Sequence, residues 1–154
     1  MSEAQKTLSG GCQCGAVRYR LAAMPKAPSI CHCRMCQKAG GAPFMVFAGL
    51  PEQFVEWTRG APKIYASSDF AERGFCADCG TPLTYQMKGK PRISFTVGSF
   101  DSPADIAPFD QLGVESRLPW VETIAALPVH RTEDWMRDMG VAAIQSHQHP
   151  DKEI

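Results

Sequence analysis

The chain has 154 residues, of which 44% are hydrophobic and 21% are charged, and both values are ordinary for a globular protein. This length corresponds to one domain with a hydrophobic core of its own, and the composition excludes disordered, collagen-like and coiled-coil proteins. The formal net charge is zero, whereas a protein that binds nucleic acid normally carries a basic excess. We therefore expect no nucleic-acid partner.

The N-terminal segment, residues 1–11, is polar and lacks the apolar stretch of a signal peptide. No run of about 20 apolar residues, the length needed to cross a bilayer, follows it. We therefore expect a cytoplasmic protein with no membrane partner. The cytoplasm is reducing, and the seven cysteines are an odd number that cannot all pair in disulfides, so metal ligation is their leading explanation.

Short strands separated by turn residues are predicted along most of the chain. Apolar and polar residues alternate over residues 17–21 and again over 93–97, which is typical of strands with one buried and one solvated face. Further strands are predicted at residues 43–48, 54–57, 63–65, 72–76 and 83–86. The fold class is therefore mainly β, with the strands forming one antiparallel domain.

The remaining segments predict little regular structure. One turn of helix follows Cys33 and ends at Gly40 or Gly41, and residues 101–110, with two prolines, form an irregular connection. Residues 1–135 are predicted to be a single zinc-binding domain, and residues 136–154 a mobile C-terminal tail. The tail histidines, His147 and His149, are then incidental.

Two short cysteine pairs, Cys12/Cys14 and Cys76/Cys79, are suited to one closed metal site. Zinc in structural sites is held by four thiolates, which are usually supplied as two pairs. Residues i and i+2 of an extended segment share a face, and glycine after Cys-x-x-Cys, here Gly80, supplies the positive φ of a metal-binding turn. A redox dithiol is the alternative for the second pair, but such a motif normally lies in a βαβ unit, and none is predicted.

The third group, Cys31, Cys33 and Cys36, supplies three further thiolates. Three protein ligands leave a fourth position open on zinc, as in catalytic sites, and an ion bound there lowers the pKa of an incoming thiol. His32 is a rival fourth ligand. In an extended segment, however, its side chain points away from the face of its neighbours, and we expect it to orient the loop by hydrogen bonding instead.

Two cations accompany this group. Three thiolates and Zn²⁺ carry one net negative charge, so Arg34 and Lys38 are candidates for stabilising the site or binding an acidic substrate; they are equally well explained as solvated side chains.

The aromatic residues also have two explanations, as core residues or as residues that line a pocket. The tryptophans are expected to be core residues rather than pocket residues, and residues 44–47 form the wall of a pocket, a buried strand, or both.

The chain resembles the glutathione-dependent formaldehyde-activating enzyme family, which also includes the centromere protein V group. The resemblance is carried by three cysteine motifs in order, which read GGCQCG, CHCRMCQK and FCADCGTPL, and by the later segments VES and PW. It covers most of the chain. The sequence departs from the family at Gln111, where the family often has histidine, and at Gln37, where it often has arginine.

The resemblance implies a tent-like assembly of small antiparallel sheets, similar to methionine sulfoxide reductase B and stapled by zinc. It implies two Zn²⁺ per chain, a structural ion on Cys12, Cys14, Cys76 and Cys79, and a catalytic ion on the other three cysteines. The activity it implies is addition of glutathione to formaldehyde, giving S-hydroxymethylglutathione, which is a carbon-sulfur lyase reaction run in reverse.

Two other functions are weighed against this one. In the first, both metals are structural and the chain is a non-catalytic binding module. In the second, the chain reduces methionine sulfoxide, but that reaction requires a further reactive cysteine, and all seven are already assigned to metal. The expected partner is therefore a small thiol such as glutathione.

Overall fold

The structure is a computed structural model that describes residues 8–152. The predictions for residues 1–7 and for the last two residues of the tail lie outside this range. Within it the strands are β1 Leu8–Gly11, β2 Arg18–Leu21, β3 Lys26–Cys31, β4 Met45–Pro51, β5 Val55–Arg59, β6 Lys63–Ala66, β7 Ala71–Phe75, β8 Pro82–Met87, β9 Arg92–Thr96 and β10 Asp110–Leu112. The α-helices are α1 Arg34–Gly40 and α2 Thr132–Asp138. Short 3₁₀ turns are formed at Glu52–Phe54, Val97–Ser99, Pro103–Asp105, Val114–Ser116 and Pro119–Ala126.

The strands form two sheets. The smaller has the order β1-β2-β5, and the larger has the order β10-β3-β4-β9-β8-β7-β6. All pairings are antiparallel except that of β10 with β3, which is parallel. The prediction of a mainly β protein with antiparallel pairing is confirmed, and so is the helical turn after Cys33, which Gly41 ends in a left-handed conformation with φ of 60°.

Three strands, β1, β3 and β10, were not predicted from the sequence, each for a physical reason. Strand β1 contains two glycines, and β3 contains a proline and the left-handed residue Ala27, with φ of 52°. These residues are poor indicators of strands. Strand β10 has only three residues, and its pairing with β3 depends on a contact about 80 positions away in the sequence.

The core lies between the two sheets. Tyr19 and Phe95 are completely buried, with ring centroids 4.2 Å apart, and the half-buried Trp57 packs against both. The prediction that all three tryptophans are core residues is wrong for Trp120 and Trp135, which are 52% and 54% exposed. They follow Ile106, the last buried residue of the described chain, so no second layer covers them.

The C-terminal segment contains a helix and contacts the turn between β1 and β2. Helix α2 crosses the predicted boundary at residue 135, and the backbone N–H of His149 donates to the carbonyl of Gln13 at 2.7 Å. The mobility of residues 136–154 stays a prediction. No helix within residues 8–152 combines the length and the apolar character that crossing a bilayer requires.

Candidate metal centres

The seven cysteines lie in two groups, and each group brings its sulfur atoms within 4.8 Å of one another. The first group, which we call the closed cluster, contains Cys12, Cys14, Cys76 and Cys79. The second, the open cluster, contains Cys31, Cys33 and Cys36. The grouping is the one expected from the sequence, and that either group holds zinc stays a prediction.

The closed cluster connects the two sheets. Cys12 and Cys14 lie in the turn between β1 and β2 of the small sheet, whereas Cys76 and Cys79 lie in the turn between β7 and β8 of the large sheet. Glycine follows each pair with φ of 77°, at Gly15 and at Gly80. The positive φ lets each turn fold back on itself, and the Gly80 N–H donates to the carbonyl of Cys76 at 2.9 Å. The predicted positive φ of Gly80 is confirmed.

The sulfur spacing in the closed cluster matches a tetrahedral metal site. The Cys12 and Cys14 sulfurs are 3.6 Å apart, and those of Cys14 and Cys76 are 3.8 Å apart. A tetrahedron with Zn–S bonds of about 2.3 Å has edges of about 3.8 Å, whereas a disulfide needs about 2.05 Å. All seven cysteines are free thiols. The donor set therefore fits a divalent ion that prefers sulfur, such as zinc.

Thr81 joins the two halves of the closed cluster. Its hydroxyl accepts from the N–H of Gln13 at 3.0 Å and lies 3.1 Å from the Cys79 sulfur, to which it donates its own proton. Burial alone would raise the pKa of Cys79. The Thr81 hydroxyl and amide, with further hydrogen bonds from Cys14, outweigh it and lower that pKa to about 6. Cys79 is therefore a thiolate at neutral pH.

The open cluster is built where β3 passes into α1. Cys31 is the last residue of β3, Cys33 is the N-cap of α1, and Cys36 lies in its first turn. The Cys33 sulfur accepts the backbone N–H of Cys36 at 3.4 Å, as a capping side chain does. The turn of helix brings together sulfur atoms that would diverge in a continuous strand.

The three thiols of the open cluster differ in acidity. Burial raises the pKa of Cys36 to about 12 and also raises that of Cys31. Burial opposes ionisation of Cys33 as well, but hydrogen bonds from the amides of Cys36 and Met35 and from the neighbouring thiols lower its pKa. Cys33 is thus the first thiol to ionise, and metal binding must displace protons from the other two.

A cavity of about 220 Å³ opens on the open cluster. The three sulfur-bearing side chains form one side, and Phe47, Tyr85 and Leu112 form apolar walls. Phe47 lies on β4, so the expectation that residues 44–47 supply a pocket wall is confirmed for this residue. The four sulfurs of the closed cluster would occupy every position of a tetrahedral metal ion, whereas the open cluster has three sulfurs beside a space that a small ligand can enter.

His32 does not belong to either sulfur group. It is 1% exposed, and its Nε2 lies 2.8 Å from Oε1 of Gln111. Because an amide oxygen only accepts, Nε2 carries the proton and donates it. Its ring packs edge-on against Phe44, with centroids 5.4 Å apart. His32 therefore makes an orienting hydrogen bond, as expected, and Gln111 anchors it through β10.

Gln37 is a further support that the sequence analysis did not assign. Its side-chain amide is buried and donates to the carbonyl of His32 at 2.8 Å and to that of Ser116 at 2.9 Å. It thereby ties α1 to both the β3 end and the turn at Val114–Ser116. A buried glutamine on a short helix gives no sequence signal of its own, since the same residue is ordinary on an exposed face.

The two predicted cations lie beside the open cluster but outside its cavity. Arg34 donates to the side-chain oxygen of Gln37 at 3.3 Å, and with Lys38 it lines a separate cleft that faces Leu118. Lys38 also lines a cavity of about 460 Å³, which adjoins the smaller one. Their role in substrate binding stays a prediction.

Arg73 on β7 is the cation that reaches the open cluster, and sequence reasoning missed it. Its Nη2 donates to the Cys36 sulfur at 3.3 Å, and its guanidinium carbon lies 5.0 Å from the centre of the Tyr85 ring. The sequence signal that could have identified Arg73 is the alternation along β7, which places this arginine on the buried face of the strand. Ala71 and Arg73 are both buried, with Glu72 between them more exposed.

The family model described as "Glutathione-dependent formaldehyde-activating enzyme" matches residues 7–115, which contain all seven cysteines. The chain belongs to this family. The matched range ends before the exposed tryptophans, so the family domain contains both clusters and the sheets that position them.

The chain is also similar to one further protein in sequence and to one solved structure in fold. An uncharacterized lyase of Schizosaccharomyces pombe is 38% identical over 76 residues, which is 49% of this chain and 55% of the yeast protein. The chain thus matches about half the length of that relative. A crystal structure of a Rhodobacter sphaeroides protein superposes with a TM-score of 0.53 at 21% identity, covering 67% of this chain and 98% of the other. That likeness concerns the fold alone.

Proposed function

We propose that the chain is a zinc-dependent carbon-sulfur lyase, or thiol-adduct enzyme, that joins a small thiol such as glutathione to formaldehyde. The observation that carries the proposal is the cavity of about 220 Å³ that opens on three clustered sulfurs. Family membership and the lyase name of the yeast relative support the same reaction class. Glutathione and formaldehyde are the two compounds named in the description of the family.

The reaction needs no oxidant or reductant. The thiol sulfur forms a bond to the aldehyde carbon, the carbonyl π bond breaks, and the thiol proton is transferred to the carbonyl oxygen. Zn²⁺ bound by Cys31, Cys33 and Cys36 would supply a Lewis acid that lowers the pKa of the substrate thiol. The apolar walls formed by Phe47 and Tyr85 limit the access of water to the reacting sulfur.

Several finer features belong to this proposal. We propose two Zn²⁺ per chain, with the closed cluster stapling the two sheets into a tent like that of methionine sulfoxide reductase B. We also propose a cytoplasmic protein with a small-molecule partner, neither nucleic acid nor membrane. The seven free thiols and the net charge of zero support that assignment.

The test is the rate of adduct formation. Zinc-loaded protein should accelerate the appearance of S-hydroxymethylglutathione above the uncatalysed rate, as followed by NMR, and a rate equal to background would exclude this substrate pair. Cys33→Ser should abolish the acceleration and reduce metal content to one ion per chain, because the closed cluster is untouched. Cys33→Ser protein with full activity would exclude the open cluster as the catalytic centre.

A second function, a non-catalytic binding module, is favoured by one observation. The described chain after Ile106 contains no buried residue, and it exposes large apolar side chains that include Trp120, Val129 and Trp135. Such surfaces often mark contacts with other proteins. The two functions differ at the open cluster: in a binding module, X-ray absorption on zinc-loaded protein would detect no added sulfur ligand when glutathione is supplied.

A further inference from the structure

Arg73 is a buried charge with no carboxylate partner among residues 8–152. Arg73 is only 8% exposed, and none of the ion pairs formed within residues 8–152 includes it. A buried cation is costly unless a negative group or several hydrogen bonds compensate for it. The question is therefore which anion balances Arg73.

Its contacts identify the anion as sulfur. Nη2 donates to the Cys36 sulfur at 3.3 Å, while Nε donates to the Ser67 hydroxyl at 3.0 Å and so fixes the orientation of the guanidinium plane. On the remaining sides are the Met45 sulfur, 3.9 Å from Nη1, and the face of the Tyr85 ring. All these groups are neutral except the cysteine sulfur, which becomes anionic when the open cluster binds a metal ion.

The guanidinium of Arg73 can balance the net charge of a metal-loaded open cluster. Three thiolates and a divalent ion sum to one negative charge, and the guanidinium brings the total to zero. An anionic fourth ligand would raise the charge of an unbalanced centre to minus two, next to the buried side chain of Cys36. With Arg73 present, the total charge after the anionic ligand binds is only minus one. A neutral fourth ligand gains nothing from this compensation, because it adds no charge.

Arg73 also lies where a ligand would pass. It lines both the cavity of about 220 Å³ beside the open cluster and the adjoining cavity of about 460 Å³. Met35 of α1 is the other residue that lines both cavities. A ligand whose sulfur occupies the smaller cavity therefore lies within the field of the guanidinium.

We propose, building on the thiol-adduct function above, that Arg73 is the positioning residue that balances the charge of the open cluster and makes it select an anionic sulfur ligand over a neutral one. Charge-assisted contacts of this kind correspond to changes of roughly tenfold to a hundredfold in affinity. A purely structural arginine would have no preference between the two kinds of ligand.

The test compares two probes on Co²⁺-loaded protein, whose absorption reports ligand exchange at the metal. The probes are 2-mercaptoethanol, which binds as a thiolate, and imidazole, which binds neutral. In Arg73→Met and Arg73→Gln we expect the ratio of thiolate affinity to imidazole affinity to fall about tenfold or more. Arg73→Lys, which keeps the charge, should recover most of the ratio. Arg20→Met, at an exposed arginine on β2, is the matched control.

The outcomes separate this proposal from the proposed function. If the unmodified protein binds no 2-mercaptoethanol at the metal, the thiol-adduct function fails and the inference fails with it. If the unmodified protein binds the thiol but the ratio is unchanged in both neutral variants, Arg73 has no selective role and only the inference is overturned. A parallel loss of Co²⁺ and of both probes in all three Arg73 variants would likewise overturn it, in favour of a structural role. Should Arg73→Met not fold, Arg73→Gln carries the comparison with Arg73→Lys.

Discussion

Single hydrogen bonds set the chemistry of individual thiols in this protein. Thr81 is an example, because one hydroxyl accepts from the chain around the first cysteine pair and donates to Cys79 of the second. The bond to Cys79 is charge-assisted once that sulfur is a thiolate, which its pKa of about 6 makes it at neutral pH. Such bonds are about twice as strong as neutral ones.

Replacing Thr81 with valine should weaken metal binding at the closed cluster by about tenfold, since a charge-assisted bond contributes roughly 1.5 kcal/mol. Competition with a chromophoric zinc chelator measures this change. Thr81→Ser keeps the hydroxyl and should bind the metal nearly as well as the unmodified protein. Equal affinity in the valine and serine variants would show that the hydroxyl contributes nothing.

A buried ion pair joins β2 to the segment after β9. Arg18 donates to both carboxylate oxygens of Asp101, at 2.8 and 2.6 Å, and the two side chains are 4% and 9% exposed. Burial would raise the pKa of Asp101, but Arg18 and the hydroxyl of Ser9 outweigh it and hold that pKa below its usual value. The pair therefore stabilises the fold wherever Asp101 is ionised.

Asp101→Asn should reduce the free energy of unfolding at pH 7 by about 3 kcal/mol, because it removes the buried carboxylate that accepts two hydrogen bonds from Arg18. The depressed pKa of Asp101 gives a stabilisation that is fully present above the unfolded value of about 3.9 and is lost as pH falls through the folded value. The difference between the two proteins, measured by urea denaturation, should thus shrink below about pH 4. Glu56→Gln, at an exposed pair with Arg20, should change stability by less than about 0.5 kcal/mol.

At the scale of elements, the open cluster depends on a neighbour that is distant in sequence. Strand β10 pairs with β3, and Gly113 directly after it packs against the backbone of Cys33. Gly113 has φ of 66°, and a methyl group there would lie 2.8 Å from the Cys33 nitrogen. The close approach fixes the N-cap of α1.

Gly113→Ala should therefore deplete the open cluster of metal while the closed cluster keeps its ion. Elemental analysis after dialysis should give about one zinc per chain in place of two. Gly89→Ala is the matched control, because Gly89 has φ of 72° but nothing within 4 Å of the added methyl group. It carries the same left-handed strain of about 1–2 kcal/mol without the contact. Equal zinc loss in both variants would assign the effect to strain alone.

The elements that sequence reasoning predicted well are those whose signals are local. The cysteine spacings and Gly80 revealed both clusters, because each pair lies within one turn, and the alternation in β2 and β9 revealed two central strands. Arg73, Gln37 and the β10–β3 pairing were missed, since each depends on which distant segments the fold brings together. Trp120 and Trp135 were misplaced because a tryptophan carries no sign of whether a layer covers it.

For the whole molecule, the closed cluster is a connection between the small sheet and the large one, beside the hydrophobic core that they share. Structural zinc contributes about 10–16 kcal/mol to the folding of small domains, which is as large as the entire stability of a typical protein. The open cluster, by contrast, lies within one sheet and its neighbouring helix. Loss of a metal ion bound there should leave the contact between the sheets intact.

Cys76→Ser should consequently remove both metal ions and most of the β-sheet signal in far-ultraviolet circular dichroism. Cys33→Ser should remove one ion and leave that signal unchanged. Elemental analysis and circular dichroism on the same samples measure both effects. A Cys76→Ser protein that keeps one zinc and the full β signal would contradict the role of the closed cluster as a staple.

The exposed indole rings determine what fluorescence can reveal about this protein. Two of its three tryptophans, Trp120 and Trp135, already face solvent, and only Trp57 packs in the core. Emission from the intact chain is therefore dominated by rings that unfolding hardly affects, so a thermal melt followed by this emission underestimates the transition. The same rings would shift to shorter wavelength when a partner covers the C-terminal segment, which makes them an intrinsic sensor of association rather than of folding.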